Sequence, residues 1–379
     1  MKPSSRAALA ALVAASALLA ADAGVTLIGI GAIRGDALDL SGLDGDICQR
    51  DNSTNCIPRA TFGGFGSALA YTGHDDVFLT VPDRGPFDGR TTPGVPYVNR
   101  FHFLHMVVEL GVPFPNIRTR LLDTRILRSG NRRLLGDAFA FNTDNPLASL
   151  RFDPEGVAVG RDRTFFISDE YGPYVYEFDR EGYLIRRLPV PSKFLIAKPS
   201  GDADSAGNSL EIYPNNNTSG RQANRGMEGL AITPDGRFLV GIMQNALIQD
   251  NGLDSNTPPG RVGLNNRILR INLQTGQTQE YVYVMDAINQ GRGVNEMLAL
   301  NDHEFLVIER DNRSFVPTPP AAAAEPLLKR IYKIDLNKPG LTDVSSIASL
   351  PAAATALAGL GIVPVDKTFS SACSIRPTK

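Results

Sequence analysis

The chain of 379 residues has no tryptophan, only three cysteines and only four histidines. No Cys-x-x-Cys pair occurs, so a thiolate metal site has no support. His102 and His105 lie three apart in a strand-like stretch, which sends them to opposite faces. A histidine-rich zinc or iron centre is therefore unsupported. Charge of one sign is also missing: 38 Lys and Arg face 40 Asp and Glu, a net −2. That balance speaks against a broad nucleic-acid footprint. No Gly-x-Ser-x-Gly elbow is present, because Gly66-Ser67-Ala68 lacks the second glycine, which disfavours an α/β-hydrolase serine esterase. Neither a phosphate-cradling glycine-rich loop with Lys-Ser/Thr nor an Arg-His-Gly sequence occurs. Beyond the N-terminus no apolar run reaches the ~18 residues that a membrane span needs.

The N-terminus itself reads as an export signal. Lys2 and Arg6 precede an apolar run over residues 7–20, and Ala21-Asp22-Ala23 fits small-x-small cleavage. Fourteen such residues are too few to cross a ~30 Å hydrocarbon core. The expected product is exported, periplasmic or extracellular, with no membrane span after cleavage. In such a compartment Cys48 and Cys56 are candidates for a disulfide, two free thiols being the alternative.

What the chain does have is turn formers, 36 Gly and 26 Pro, and an internal repeat. Ser67-Ala68-Leu69-Ala70-Tyr71 precedes the strand-like run from Val77 to Pro82. Glu155-Gly156-Val157-Ala158-Val159 precedes Thr164 to Asp169. Glu228-Gly229-Leu230-Ala231-Ile232 precedes Arg237 to Met243, and Glu296-Met297-Leu298-Ala299-Leu300 precedes Glu304 to Glu309. Each unit reads as a hairpin, with turn chemistry such as Pro234-Asp235-Gly236 between its strands. Further strands follow at 174–178 and 183–188, at 266–273 and 278–284, and at 330–336. Radially repeated four-stranded units predict an all-β fold, a β-propeller. A β-sandwich is the rival, but it does not repeat one hairpin motif. The units start 88, 73 and 68 residues apart, whereas a blade needs ~40–50. That excess predicts six or seven blades, with residues 118–141 a place to hide one. Residues 197–225 and 249–263 read as long polar loops.

The innermost strand of a propeller blade lines the central channel. The repeat places Ser67, Glu155, Glu228 and Glu296 at one position of that strand. Converging carboxylates repel unless a cation sits among them, and a hard cation such as Ca²⁺ accepts such oxygens without His or Cys. The competing reading is structural, each glutamate stapling a neighbouring blade through backbone amides. Each hairpin ends in a second polar cluster: Asp83-Arg84, Asp169-Glu170, Gln244-Asn245 and Glu309-Arg310-Asp311. Arginine beside acid suits an anionic substrate next to a metal. Arg–acid pairing between blades is the bland alternative.

Several of these motifs resemble the phytase-like family, named for an esterase-like activity of phytase. They are Asp83-Arg84-Gly85-Pro86, Asp153-Pro154-Glu155-Gly156-Val157-Ala158, Ser168-Asp169-Glu170-Tyr171-Gly172, Asn224-Arg225-Gly226-Met227-Glu228-Gly229-Leu230-Ala231 and Phe305-Leu306-Val307-Ile308-Glu309-Arg310-Asp311. The resemblance implies an exported propeller-like domain with ester- or phosphoester-hydrolysing activity. It does not assign catalytic residues. The expected layout is a signal peptide over 1–23, the propeller over 24–350 and an atypical tail over 351–379. That tail lacks a further Glu-Gly-Leu unit. Either it substitutes for one, or the chain is truncated or frame-shifted there and the last blade is incomplete.

The residue assignment that follows has Glu155, Glu228 and Glu296 holding a divalent cation, with Ca²⁺ the leading candidate. Asp169 or Glu170 is the catalytic base, and Asp83, Arg84 and Arg310 bind a small anionic or ester substrate. The alternatives are a non-catalytic propeller that binds a ligand or protein partner, and a lactonase-like metal propeller.

Overall fold

The computed structural model describes residues 28–62, 65–140, 149–196, 217–257, 259–288, 292–311 and 329–372. The expected signal peptide, Cys373 and most of the 197–225 loop lie outside them. A hairpin comes first, β1 (Asp46–Gln49) and β2 (Asn52–Pro58). It carries the Cys48–Cys56 disulfide, with Cα atoms 4.0 Å apart.

Four antiparallel four-stranded sheets follow. The first blade is β3 (Phe65–Tyr71), β4 (Val77–Pro82), β5 (Arg100–Val108) and β6 (Ile117–Ile126). A two-residue ladder, β7 (Arg128–Ser129) with β8 (Arg132–Arg133), intervenes. The second blade is β9 (Pro154–Val159), β10 (Phe165–Asp169), β11 (Val175–Phe178) and β12 (Leu184–Arg187). The third is β13 (Met227–Ile232), β14 (Phe238–Met243), β15 (Asn265–Asn272) and β16 (Thr278–Val284). The fourth is β17 (Gly293–Ala299), β18 (Glu304–Arg310), β19 (Lys329–Asp335) and β20 (Lys367–Ala372).

The fold is thus all-β and propeller-like, but with four blades among the described residues, not six or seven. The surplus length between repeats goes into connections. Residues 83–99 separate β4 from β5, and residues 244–264 separate β14 from β15. The 118–141 stretch hides no blade, because it holds most of the outer strand β6 and the small ladder. The tail supplies β20, which pairs along β19. Lys367, at the start of β20, anchors it by donating to Glu309 Oε1 at 2.5 Å, Asp286 Oδ1 at 2.5 Å and the Val284 carbonyl at 3.0 Å.

Alternation of side chains builds the core between blades. In β18, Phe305, Val307 and Glu309 are buried while Leu306, Ile308 and Arg310 are only half-buried. Phe305 and Val307 meet Val240, Ile242 and Tyr281 of the third blade. Phe166 and Val175 meet Leu239 and Leu269 between the second and third blades. Leu79, Val81 and Phe101 meet Phe165, Ile167 and Phe178 between the first and second. The innermost strands β3, β9, β13 and β17 touch in that order. Two glycines set their spacing. A Cβ on Gly156 would lie 2.8 Å from both the Glu228 carbonyl and the Leu230 nitrogen, and one on Gly229 would lie 2.8 Å from the Met297 nitrogen. Only glycine permits that approach, which explains the Glu-Gly pair in two of the repeats.

Candidate functional site

Every innermost strand carries a register irregularity near its start. Pairing passes from Pro154↔Asp169 to Val157↔Ile167, from Met227↔Met243 to Gly229↔Ile242, from Val294↔Glu309 to Glu296↔Ile308, and from Phe65↔Pro82 to Ala68↔Val81. A bulge leaves a residue out of the ladder and re-aims its side chain. The residues so released include Ser67, Glu155, Glu228 and Asn295. The end of each second strand adds one more, Asp83, Glu170, Gln244 and Arg310. These eight side-chain positions, two from each blade, line one cavity of about 330 Å³, together with Arg84, Asn224 and Arg225 from the connecting loops.

This corrects the alignment of the fourth repeat by one residue. Asn295, not Glu296, occupies the position of Glu155 and Glu228. Glu296 stands where the second and third units have glycine and the first has Ala68. Its Oε1 accepts hydrogen bonds from the Met297 nitrogen at 2.8 Å and the Leu230 nitrogen at 3.4 Å. Glu296 is a staple between blades, so it does not join the cluster it was expected to complete. Burial pushes its carboxyl up to about 8.

The cluster is completed by Glu170 instead. Glu155, Glu170 and Glu228 each bring one carboxylate oxygen within 4.8 Å of the others, and Asp83, Asp153 and Glu155 do the same beside them. All three glutamates are at least nine-tenths buried. Burial, and after it the neighbouring carboxylates, raise Glu155 and Glu228 well above the ordinary range. Glu228 Oε1 accepts from Gln244 Nε2 at 2.8 Å and from Asn295 Nδ2 at 3.4 Å, and Arg310 Nη2 stands 3.6 Å away. Its Oε2 is buried with no partner. Among the described residues no hydrogen bond or ion pair reaches the Glu155 carboxylate. A buried, unpartnered carboxylate oxygen is costly unless protonated or held by a cation. The donor set, carboxylate and amide oxygens without His or Cys, fits a hard divalent cation.

Two assigned residues are occupied elsewhere. Asp169 does not face the cavity. Its Oδ1 accepts from the Asp153 nitrogen at 3.0 Å and the Tyr171 nitrogen at 3.2 Å, and its Oδ2 accepts from the Gly172 nitrogen at 3.1 Å. It fastens the turn that positions Glu170; burial lifts its pKa to about 6. Arg84 does line the cavity, but Asp153 holds it from two sides. Arg84 Nη1 donates to Asp153 Oδ2 at 2.5 Å and to Asn224 Oδ1 at 2.7 Å, and the Arg84 nitrogen donates to Asp153 Oδ1 at 3.1 Å. Glu170 Oε2 is 3.5 Å from the same Nη1. Arg84 therefore positions the acids. Arg310 remains a quarter exposed at the cavity wall.

The cation that sequence reasoning left unassigned is Arg225. Its Nη1 donates to the Asn224 carbonyl at 2.9 Å and to Gln244 Oε1 at 2.7 Å, while its Nε is buried without a partner. No carboxylate among the described residues lies within ion-pair distance of it, and burial lowers its pKa. Arg225 is visible in the sequence three residues before Glu228. The bulge that turns Glu228 toward the axis, and the turn that brings Arg225 beside it, are not.

A protein-family model described as "Phytase-like: Esterase-like activity of phytase" matches residues 60–373. A protein of Arthroderma benhamiae described as an uncharacterized secreted protein is 28% identical over 269 residues. The match takes in 59% of this chain, and the chain spans about half, 51%, of that relative's length. Among solved structures, lignostilbene dioxygenase of Pseudomonas brassicacearum gives a TM-score of 0.30 at 10% identity over 75% of this chain and 65% of that one. Virginiamycin B lyase of Staphylococcus aureus gives 0.27 at 9% identity over 78% and 94%. The family match spans all four blades and both halves of the carboxylate site, and the chain belongs to the phytase-like family, the one described by an esterase-like activity of phytase.

Proposed function

We propose that the protein is an exported hydrolase of ester bonds, phosphoric or carboxylic, that works with a divalent cation, Ca²⁺ by preference. The observation that carries this reading is the buried trio Glu155, Glu170 and Glu228, converging within 4.8 Å with one oxygen of Glu228 unpartnered. These three residues would hold the cation, and Gln244 and Asn295 fix Glu228 for it. Bound there, the cation would supply Lewis-acid polarisation of the ester oxygen.

The chain's own groups supply the rest. Arg225 and Arg310 receive the anionic part of the substrate, since neither is neutralised by a tight ion pair. Asp83, whose side chain is 43% exposed at the mouth of the cavity, takes the proton lost by the attacking water. The new bond forms from that water's oxygen to phosphorus or carbon, and the alcohol leaves carrying the proton. Export is supported by the charged, then apolar, then small-residue pattern of residues 1–23, by the disulfide, and by the description of the Arthroderma benhamiae relative as secreted. No helix among the described residues is long and apolar enough to cross a membrane.

The test is hydrolysis of inositol phosphates and aryl esters, with and without chelator, by wild type and Glu228→Gln. The proposal expects turnover that chelator abolishes and that the variant lacks. Turnover unaffected by both removes the cation from the mechanism. No turnover on any substrate, with cation binding intact, favours a binding protein.

A further inference from the structure

Three seams between blades are filled by apolar side chains, as described above. Among the described residues no such cluster joins the fourth blade to the first. That seam instead opens into a cavity of about 480 Å³ lined by the innermost strands of all four blades. On its open side Leu69, Tyr71 and Phe78 of the first blade face Leu306, Ile308 and Ile331 of the fourth. Leu69 is 41% exposed, Tyr71 54% and Leu298 at the rim 60%. The cavity lies toward the far ends of the innermost strands, away from the carboxylate site. The close backbone approach at Gly156 and Gly229 lies between the two.

A single charged side chain lines this apolar chamber, Glu296. Its Oε1 is used by the two backbone amides. Its Oε2 accepts no hydrogen bond among the described residues. Small-molecule sites fall at roughly 300–1,000 Å³ and combine apolar walls with few convergent polar groups. A space of this size excludes a further sheet, so neither another blade nor a second copy of the chain fits inside it.

We propose that this cavity binds a hydrophobic primary amine, with its ammonium on Glu296 Oε2 and its alkyl or aryl body among the apolar innermost strands, reaching toward the open seam between the first and fourth blades. Two complementary features select this class. The walls gain roughly 25 cal/mol for each Å² of apolar surface removed from water, and the one carboxylate in low-polarity surroundings rewards a cation over a neutral or anionic head. Neither the carboxylate trio nor its cation takes part, so the seam's occupancy is independent of hydrolysis.

Isothermal titration at pH 8.5 with octylamine, 1-octanol and octanoate tests this. Wild type is expected to bind octylamine at least about tenfold tighter than 1-octanol, a difference of about 1.4 kcal/mol, and octanoate weakest. Glu296→Gln keeps an oxygen for the Leu230 and Met297 amides and is expected to bring octylamine down to the level of 1-octanol. Leu298→Arg adds a cation at an exposed rim position, so folding is retained. It is expected to weaken octylamine and tighten octanoate. Equal binding of amine and alcohol by wild type overturns the proposal. So does an amine preference that survives both substitutions, or no binding of octylamine at all.

Discussion

Replacing Glu228 with glutamine separates the electrostatics of the site from its packing, because size and shape are kept while one charge is lost. One carboxylate oxygen each of Glu155, Glu170 and Glu228 lies within 4.8 Å of the other two. At that separation two full charges repel by about 3.5 kcal/mol for an effective dielectric near 20. Arg84, 3.5 Å from Glu170, and Arg310, 3.6 Å from Glu228, offset part of this repulsion, and burial with the rest of it favours a proton on Glu155 and Glu228 when no cation is bound. Glutamine removes two of the three repulsive pairs and also one cation ligand. The cation-free variant should then be at least as stable as cation-free wild type, yet unresponsive to the ion. For wild type, a cation at about 100 times its dissociation constant stabilises by about 2.7 kcal/mol. In a chain this large that raises the melting temperature by about 3–4 °C. The assay is thermal unfolding after chelator treatment, with calcium added up to about 10 mM, which covers the weak end of extracellular sites. Wild type should climb, and Glu228→Gln should move by less than about 1 °C. An equal shift in both proteins, or none in wild type, refutes the reasoning.

Acidity provides a second check. Glu155 and Glu228 are raised by burial and neighbouring charge, and Glu296 by burial to about 8, against about 4.3 unfolded. The folded chain then holds more protons through that window, so stability falls as pH rises from about 5 to 8, by up to about 1.4 kcal/mol per unit for each group. Urea midpoints in chelator should drop accordingly, and calcium should shrink the drop. Asp169→Asn should cost about 2 kcal/mol through its backbone bonds while calcium affinity, read by titration, stays within a few-fold. Arg225→Ala should raise KM for anionic esters about tenfold or more with calcium affinity unchanged, as measured in steady-state kinetics. Arg267 is fully buried, with Asp250 at 2.7 Å and Glu280 at 2.6 Å. Arg267→Met should therefore cost about 3–5 kcal/mol in denaturant unfolding, because it leaves buried Asp250 without its cation and Glu280 with Lys193 alone at 3.2 Å.

The hairpins were legible because strand alternation and turn residues are local. The spans of β11, β12, β15, β16 and β19 lie within a residue or two of those read from the sequence. Blade count was not legible from spacing, since a residue in a connecting loop and a residue in a hidden strand lengthen a repeat equally. The tail strand β20 was equally opaque, because its partner β19 lies some thirty residues upstream. Within the site, the glutamate in two of the repeats marked the converging strands. The choice between Asn295 and Glu296 turned on a one-residue bulge, and a one-residue slip moves a side chain to the other face. Sequence adjacency also overstated Asp169, whose carboxylate is used up by amides that only the folded turn presents.

The most direct measurement is a crystal of the calcium-loaded protein, checked by anomalous scattering after exchange of calcium for a lanthanide. The account predicts one strong peak with oxygens of Glu155, Glu170 and Glu228 in its coordination shell, at about 2.3–2.6 Å for calcium. Those three carboxylates found empty in saturating cation, or a peak at Glu296 in their place, would contradict it.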